Sequence, residues 1–487
     1  MNTTDVFSIL PLLILGGASV VVMLVIAIKR SHTLALVLTL IGLAAAFASL
    51  FWVAPLAPRQ VTTLLVIDNY ALFYMGLVIA ATFAVALLCY GYFERHEGDP
   101  EELYVLLLIA ALGSAVLVAS SHFVSFFLGL EILSVSLYAL NAYLHTRRFP
   151  LEAGIKYLIL AASSAAFLLF GMALVYAELG TMEFGKIRDL LTALPPDASR
   201  AILVAGTALI ITGFGFKLAL VPFHLWTPDI YEGAPAPVTA FVATVSKGAM
   251  FALLLRYFFI SGSERFGSIF LVFTIIAIAS MIAGNFLAIL QNNVKRLLAY
   301  SSIAHMGYVL VAFLAGGILA SQVVAFYLVA YFITTLGAFG VVTVLSGESR
   351  DADSLADYRG LFWRRPVLAG VFTAMLLSLA GIPVTAGFLA KFYVISAGAS
   401  TAIWIPVFVL VVTSVFGLYY YLRVVVAMYS GIGHDHDEVA AAASPLAPAL
   451  SLSGGVVLAA LTILLVWVGV YPATLLHIIH STVATGL

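Results

Sequence analysis

The sequence has few charges for its length. Only 9% of its 487 residues are charged and 63% are hydrophobic, whereas soluble domains carry about 25% charged residues. So few charges cannot cover the surface of a water-soluble enzyme, and the composition also excludes an intrinsically disordered chain. The 22 Lys and Arg residues balance 23 Asp and Glu residues, with no basic stretch longer than a pair, so nucleic acid is excluded as a partner.

Cysteine is almost absent. The single Cys89 lies in the apolar run AVALLCY, which excludes an internal disulfide, a cysteine-based zinc site and an iron–sulfur cluster. The stretch GHDHDE at Gly433–Glu438 could be a metal-binding tract, but we interpret it as a solvated loop because nothing holds its side chains in a coordination geometry. We therefore expect no metal and no cofactor in this chain, and any redox centre must belong to a partner.

What the sequence has instead is a series of long apolar runs. A helix needs about 20 apolar residues to cross a bilayer, whereas outer-membrane barrels are built from alternating segments of about ten residues. The N-terminus lacks the basic region of a cleaved signal peptide, so the first run is expected to be a span. The sequence predicts an all-α polytopic membrane protein with fourteen spans, near residues 7–28, 33–53, 69–92, 103–120, 123–143, 154–177, 201–222, 236–258, 267–290, 297–318, 323–345, 366–397, 402–428 and 454–474.

The loop charges indicate how these spans are oriented. An even number of spans places both termini on one side of the membrane. If that side is the outer one, most loop Lys and Arg residues face inward, including the pairs Lys29–Arg30 and Lys295–Arg296. The positive-inside rule therefore predicts that both termini lie outside.

Few ionisable residues lie well inside the spans. The basic ones are Lys217, Lys247, Arg256 and Lys391, and the acidic one is Glu131. Charges at membrane depth are costly, so they indicate function unless they pair structurally or reach the interface. Arg256 is close to a span end and is expected to extend its side chain to the interface. For Glu131, the alternative to a functional role is a structural pair with a neighbouring helix.

Two of the lysines lie beside residues that should interrupt their spans. Lys217 precedes Pro222 in ITGFGFKLALVPFHLWTP, and Lys391 follows Gly381 and Pro383 in SLAGIPVTAGFLAKFYV. Proline removes a backbone donor and frees carbonyls near mid-membrane, which is tolerated only where protein or a cavity covers them. A lysine beside a broken helix is typical of an ion pathway. The reversed order of lysine and break in the two spans suggests an inverted repeat.

These residues together suggest a proton path. Lys247 lies between small residues, His224 follows the first break, and His305 is polar on an otherwise apolar helix, where hydrogen-bonded packing is the alternative interpretation. Burial disfavours a charged lysine, whereas a nearby carboxylate favours it. Glu131 next to Lys217 would therefore act as a switch, and lysines and a histidine joined by water could pass protons across the membrane plane.

These stretches resemble the antiporter-like membrane subunits of respiratory complex I. The matching motifs are FFLGLEILSVSLYAL, GFGFKLALVPFHLWTPDIYEGAPAPVTAFVATVSK, NNVKRLLAYSSIAHMGY and GIPVTAGFLAKF, between about residues 120 and 395. Three details resemble the N-type subunits in particular. Residue 391 is a lysine where M-type subunits carry glutamate, no long lateral helix of the L-type follows the last span, and the length is similar.

The resemblance implies an organisation of the chain. Helices 4–8 and 9–13 would form two inverted five-helix repeats, each with a broken helix. The expected units are residues 1–100 with the first three spans, 101–258 with the first repeat, 259–429 with the second repeat, and 430–487 with a loop and the last span.

The resemblance also implies roles for the site residues. Glu131 would pair with Lys217, Lys247 would link the first repeat to the central axis, and Lys391 would lie at the exit of the second. The relays between them would be His224 and His305.

The function implied is that of a proton-translocating membrane-arm subunit of an NADH:quinone oxidoreductase in a bacterial inner membrane. Its partners would be M-type, L-type and small membrane subunits, the lipid bilayer, water and protons. NADH, FMN, iron–sulfur clusters and quinone would be bound by other subunits, since no glycine-rich dinucleotide motif follows a strand here. A subunit of a multisubunit sodium/proton antiporter is the alternative. A structural spacer would leave the intramembrane charges unexplained.

Overall fold

The structure, a computed structural model, describes residues 2–96, 98–193, 200–262, 267–431 and 451–483. Within these ranges, 13 helices are long and apolar enough to cross a membrane. The remaining predicted span, near 366–397, is a pair of shorter helices with a break between them. The prediction of an α-helical, multi-pass membrane protein is therefore confirmed. The GHDHDE stretch lies outside the described residues.

Long helices dominate because a bilayer offers no hydrogen-bond partners, so each backbone group must be paired within its own segment. A two-residue antiparallel pair, β1 (Arg59–Gln60) and β2 (Val66–Ile67), lies in the loop before the third span. The helices are α1 (Thr3–Ser8), α2 (Leu10–Ile28), α3 (His32–Val53), α4 (Asn69–Phe93), α5 (Glu101–Ala119), α6 (Phe123–Asn141), α7 (Arg148–Leu179), α8 (Phe184–Ala193), α9 (Ala201–Leu218), α10 (Trp226–Gly233), α11 (Ala236–Phe241), α12 (Lys247–Ser261), α13 (Gly267–Ile289), α14 (Val294–Leu314), α15 (Gly317–Leu345), α16 (Leu361–Arg364), α17 (Pro366–Ala380), α18 (Ala386–Ser400), α19 (Trp404–Tyr429), α20 (Leu452–Val470) and α21 (Ala473–Thr482).

Two halves of the bundle pack in the same order. In the first half α5 packs on α6, α6 on α7, α7 on α9, and α12 returns to α5; in the second α13 packs on α14, α14 on α15, α15 on α17 and α18, and α19 returns to α13. A glycine brings the first two helices together in both halves. A Cβ at Gly113 would lie 2.6 Å from the backbone N of Leu133, and one at Gly284 2.6 Å from that of Ala304. Because each half has five crossings, the second half is inverted relative to the first.

The predicted breaks are present in both halves and have the same geometry. α9 ends at Leu218 and α17 at Ala380. The next residue is left-handed in each case, with φ of 60° at Ala219 and 86° at Gly381. In both, the residue after it donates its backbone N–H to a carbonyl in the last helical turn, as in a Schellman motif. A proline then prevents the helix from continuing.

From the sequence we took the reversed order of lysine and helix break in the two spans as a sign of an inverted repeat. The structure shows that this order is not evidence for the repeat. Repeats with inverted topology keep the same chain direction, so equivalent residues occur in the same order. Lys217 lies just before its left-handed residue, whereas Lys391 lies in α18, well beyond Gly381. The two lysines therefore occupy different positions, and the repeat is supported by the helix packing and the matching breaks.

The most buried spans are at the centre of the bundle. Ala236–Ser261, Val294–Leu314 and Gly317–Leu345 are 100%, 94% and 94% buried over their most apolar windows, against 33–67% for the other long spans. The first comprises α11, a π-helical turn and α12, and the other two are α14 and α15. Polar side chains on these three helices are shielded from lipid.

Candidate functional site

Lys247 lies at the centre of a buried polar cluster. It begins α12 directly after the π-helical turn Val242–Ser246, and such turns occur frequently at functional sites. Its side chain is fully buried. The Nζ atom donates to Ser302 Oγ at 2.6 Å and lies 5.4 Å from the ring centre of Tyr231. The hydroxyl of Tyr331 donates to the same Ser302 oxygen at 2.7 Å, so this serine joins three spans.

His305 continues the cluster one turn further along α14. Its Nδ1 lies 2.7 Å from Tyr327 OH, and its Nε2 lies 3.4 Å from Tyr421 OH. Its ring centre is 5.5 Å from that of Tyr331 and 5.4 Å from that of Tyr308. Both ring nitrogens thus have a hydroxyl partner, and the imidazole connects α14 with α15 and α19.

Lys391 lies at the second break. Its Nζ donates to the carbonyl of Ala380, the last residue of α17, at 2.9 Å. The ammonium is 5.1 Å from the ring centre of Tyr308, the residue that also contacts His305. The lysine therefore satisfies a carbonyl that the break frees, and an aromatic ring separates it from the histidine.

Gly381→Ala should disturb Lys391 specifically. An alanine in the left-handed region loses about 1–2 kcal/mol, and its Cβ would lie 3.0 Å from Lys391 Cδ. We expect a lower unfolding temperature than that of the wild-type protein, because both the backbone strain and the displaced lysine weaken the break. The matched control is Gly370→Ala in α17, where nothing lies within 4 Å of the new Cβ and alanine is the better helix former. Equal unfolding temperatures of the two variants would contradict this description of the break.

Lys217 lies at the first break, within the first half. Its Nζ donates to Ser134 Oγ at 2.9 Å and to Tyr157 OH at 2.8 Å. Glu131 lies one turn before Ser134 on α6 and interacts with Lys217 electrostatically. The structure shows no hydrogen bond or ion pair between Glu131 and Lys217, whose ammonium donates to the serine and the tyrosine instead. Glu131 Oε1 has no hydrogen-bond partner among the described residues.

Tyrosines lie between Lys217 and Lys247. The ring of Tyr157 is 5.3 Å from Lys217 Nζ, and that of Tyr231 is the one beside Lys247. The two tyrosines are close enough to interact electrostatically. Tyr231 OH is buried and has no hydrogen-bond partner within the described ranges.

His224 is not part of this cluster. It lies in the first break, and its buried Nδ1 has no partner in the described part of the chain. The structure shows no hydrogen bond from its side chain to Lys217 or Lys247, so the relay role expected of His224 stays a prediction. The break itself is held by protein groups, since Trp226 Nε1 donates to the Phe216 carbonyl at 2.9 Å and Ser280 Oγ accepts from the backbone N of Val221 at 2.9 Å.

Arg256 was expected to reach the membrane interface, and this prediction was wrong. Its side chain is fully buried and forms two hydrogen bonds, of 2.9 and 2.7 Å, with the carboxylate of Asp68. Its guanidinium also lies 4.8 Å from the ring centre of Tyr70. Asp68 also caps α4 by accepting from Ala71 N, so one carboxylate both caps a helix and pairs with an arginine far away in the sequence.

A second charged cluster was not found by sequence reasoning. Asp229 and Glu232 on α10 both accept from Arg296 on α14, at 2.9 and 2.7 Å, so the two most distinctive motifs meet in space. Beside them Lys295 pairs with Asp351 at 2.5 Å. Burial raises the pKa of Asp351, but the neighbouring Lys295 ammonium and hydrogen bonds outweigh burial, and the pKa lies below its ordinary value.

The described residues contain no group of three or more His, Cys, Asp or Glu side chains placed to hold a metal ion. The groups available for chemistry are therefore lysines, a histidine, a carboxylate and tyrosines at membrane depth. A series of contacting ionisable and hydroxyl groups between two broken helices is the arrangement of a membrane ion-translocating protein.

Comparisons with known proteins agree with this class. Residues 120–417 match the family model "NADH:quinone oxidoreductase/Mrp antiporter, TM". The chain is 55% identical to NADH-quinone oxidoreductase subunit N of Nitrosospira multiformis, over 98% of this chain and 96% of that protein. It is 48% identical to the subunit N of Ectopseudomonas mendocina, over 99% and 97%.

Solved structures have the same fold. A chain of respiratory complex I from Thermus thermophilus superposes with a TM-score of 0.81 at 31% identity, covering 96% of this chain and 98% of that one. A chain of the Mrp complex from a Dietzia species has a TM-score of 0.84 at 19% identity, covering 100% and 98%, which shows the shared fold alone. This chain belongs to the NADH:quinone oxidoreductase/Mrp antiporter transmembrane family, and within it to the subunit N family.

Proposed function

We propose that this chain is a proton-translocating membrane-arm subunit of an NADH:quinone oxidoreductase. The observation that carries the proposal is the series of hydrogen bonds and ring contacts from Lys247 through Ser302, Tyr331, His305 and Tyr308, which ends at Lys391. All of its members except Lys391 lie on the three most buried spans of the bundle. Ionisable groups at membrane depth are costly for the stability of the fold, and a proton path is a function that requires several of them to be neighbours.

The proton steps follow from burial and charge. A buried lysine favours its neutral form, and an approaching carboxylate favours the ammonium. Glu131 therefore controls proton binding at Lys217, Lys247 transfers the proton toward His305, and Lys391 releases it from the second half. His224 contributes by bonding water in the first break. Tyrosine hydroxyls and water fill the gaps, since both can donate and accept at once.

Three features of this chain favour protein neighbours in the membrane. Glu131 is partly exposed at the side of the bundle, and Leu225 and Val384 in the two breaks are 75% and 72% exposed. Charges and irregular backbone do not face lipid within the hydrocarbon region. Neighbouring antiporter-like subunits of M and L type, or small membrane subunits, would cover them.

The proposal extends to the cofactors, the membrane and the orientation of the chain, which follow from membership of such a complex. NADH, FMN, iron–sulfur clusters and quinone are bound by its other subunits. The chain spans a bacterial inner membrane with both termini on the periplasmic side, as the loop charges favour. Its units are residues 1–100, 101–258, 259–429 and 430–487.

A sodium/proton antiporter subunit is the second candidate, because the fold match to the Mrp complex is close. The full-length relatives at 48–55% identity favour the oxidoreductase. Copurification decides between them. Quinone-reductase subunits should copurify with this chain, and copurification with antiporter subunits alone would contradict the proposal.

Glu131→Gln tests the function. The amide keeps the shape of the side chain but cannot favour the ammonium of Lys217, so we expect normal assembly and a clearly lower number of protons pumped per electron in proteoliposomes of the complex. Glu178→Gln is the matched control, because this glutamate is exposed on α7. Unchanged pumping in Glu131→Gln would reject the switch.

A further inference from the structure

We propose that the first turns of α7 bind the phosphate headgroup of an anionic phospholipid. A surface cavity of about 470 Å³ lies at this end of the helix. Four basic side chains line it, together with apolar side chains that continue along α7. The basic residues are His145, Arg147, Arg148 and Lys156. This site is separate from the proton path and does not depend on it.

The charges of the cavity are not balanced internally. Its one carboxylate, Glu152, pairs with Lys156 at 2.8 Å, and Lys156 also pairs with Asp229 at 3.1 Å, so the unpaired charge is that of the two arginines. Arg147 donates to the backbone carbonyl of Glu348, and across the described part of the chain neither Arg147 nor Arg148 forms an ion pair with a carboxylate. The cavity therefore retains positive charge that an anionic group would neutralise.

The start of the helix adds hydrogen-bond donors to these charges. α7 begins at Arg148, and Arg147 before it provides no side-chain cap. The first backbone N–H groups of a helix have no partner within the helix. Here Arg148 and Phe149 supply them, because Pro150 has no N–H and Leu151 N donates to the Arg147 carbonyl, and the helix dipole favours an anion at this end. Phosphate groups bind at helix N-termini for these reasons.

The apolar part of the site has the position that a lipid requires. α7 has 32 residues, so at 1.5 Å per residue it is roughly 48 Å long and exceeds a hydrocarbon core of about 30 Å. Its end with the arginines therefore extends into the headgroup layer. Below it Leu151, Ile155, Leu158 and Ile159 are 42%, 49%, 44% and 58% exposed and offer a face for an acyl chain.

The combination selects a lipid rather than a soluble anion. A free phosphate would use the arginines but not the exposed apolar face, and a zwitterionic lipid would use the face but bring no net charge. Basic pockets at the inner face of membrane proteins bind anionic headgroups, and the positive-inside rule assigns this end to that face. Phosphatidylglycerol and cardiolipin have the required chemistry.

Photoactivatable phosphatidylglycerol added to the purified complex tests the site. We expect label in the peptide that contains residues 151–159, and about fivefold less label in Arg148→Gln at subsaturating lipid. The matched control is Lys29→Gln, which removes an exposed charge near the same membrane face and should label as wild type. Both variants should retain quinone reductase activity, which shows that the complex is assembled.

Four results would overturn the proposal. Equal labelling by photoactivatable phosphatidylcholine would show that charge does not select the lipid. Loss of label on addition of millimolar inorganic phosphate would indicate a site for a soluble anion. Unchanged labelling in Arg148→Gln, or a segment of another subunit seated in the cavity in a map of the complex, would exclude this headgroup site.

Discussion

Lys247→Ala should abolish proton transfer through this chain while leaving the complex assembled. The ammonium is the link between Ser302 in the second half and Tyr231 in the first, and alanine has no group that binds a proton. Loss of a positioned proton donor lowers the rate of a proton-transfer step by about 100-fold or more. The number of protons pumped per electron should fall to what the other subunits contribute, measured in proteoliposomes.

Lys247→Arg shows whether residue 247 must bind and release a proton or must only carry a positive charge. Arginine keeps a positive charge but does not release its proton at physiological pH, so this variant should pump as poorly as Lys247→Ala. Lys29→Ala, an exposed lysine in the loop between α2 and α3, is the control for a general loss of positive charge and should pump normally. Wild-type pumping by Lys247→Arg would contradict a role in proton transfer.

Asp68→Ala should cause the largest loss of stability. It leaves Arg256 charged, fully buried and without its carboxylate partner, and removing one partner of a buried pair destabilises a protein by about 3–5 kcal/mol. The cap on α4 is lost as well, which increases the loss of stability by about 1 kcal/mol. We expect little assembled complex, and a clearly lower denaturation temperature for what does assemble.

The double variant Asp68→Leu with Arg256→Met separates charge from packing. Replacing both members of a buried ion pair by apolar residues is often neutral or stabilising, so most of the stability should return, apart from the lost cap. A double variant as unstable as Asp68→Ala would show that the pair is needed for its shape rather than to neutralise Arg256.

The spans and both breaks could be predicted because their causes are local. Hydropathy over about 20 residues defines a span whatever its neighbours are, and Pro222 and Pro383 interrupt a helix in any context. The intramembrane lysines were found for the same reason, since a charge in an apolar run is visible in the sequence.

The contacts of these residues could not be predicted, because they depend on helices distant in sequence. Eight helices, α4 to α11, lie between Asp68 and Arg256 in the chain, and a cap residue before a span looks like an ordinary loop charge. The partners of Lys217 are Ser134 and Tyr157, on two other spans. Serine and tyrosine are common in apolar runs, so neither residue stands out in the sequence.

One signal was present but unused. Ser302, His305 and Tyr308 recur every three residues in the motif NNVKRLLAYSSIAHMGY, a spacing that aligns neighbouring turns of one helix. That pattern predicts a polar stripe on α14, and the three residues do contact Lys247, Tyr327 and Lys391 in turn. Helical spacing of polar residues within an apolar span is therefore more informative than any one of them alone.

The most direct test of the polar axis is a map of the assembled complex at a resolution that locates ordered water. It should contain water between Tyr157 and Tyr231, joining Lys217 to Lys247, and around His305 and Tyr308, joining Lys247 to Lys391. Apolar packing with no space for water in either interval would contradict the proton path, and the proposed function of these lysines with it.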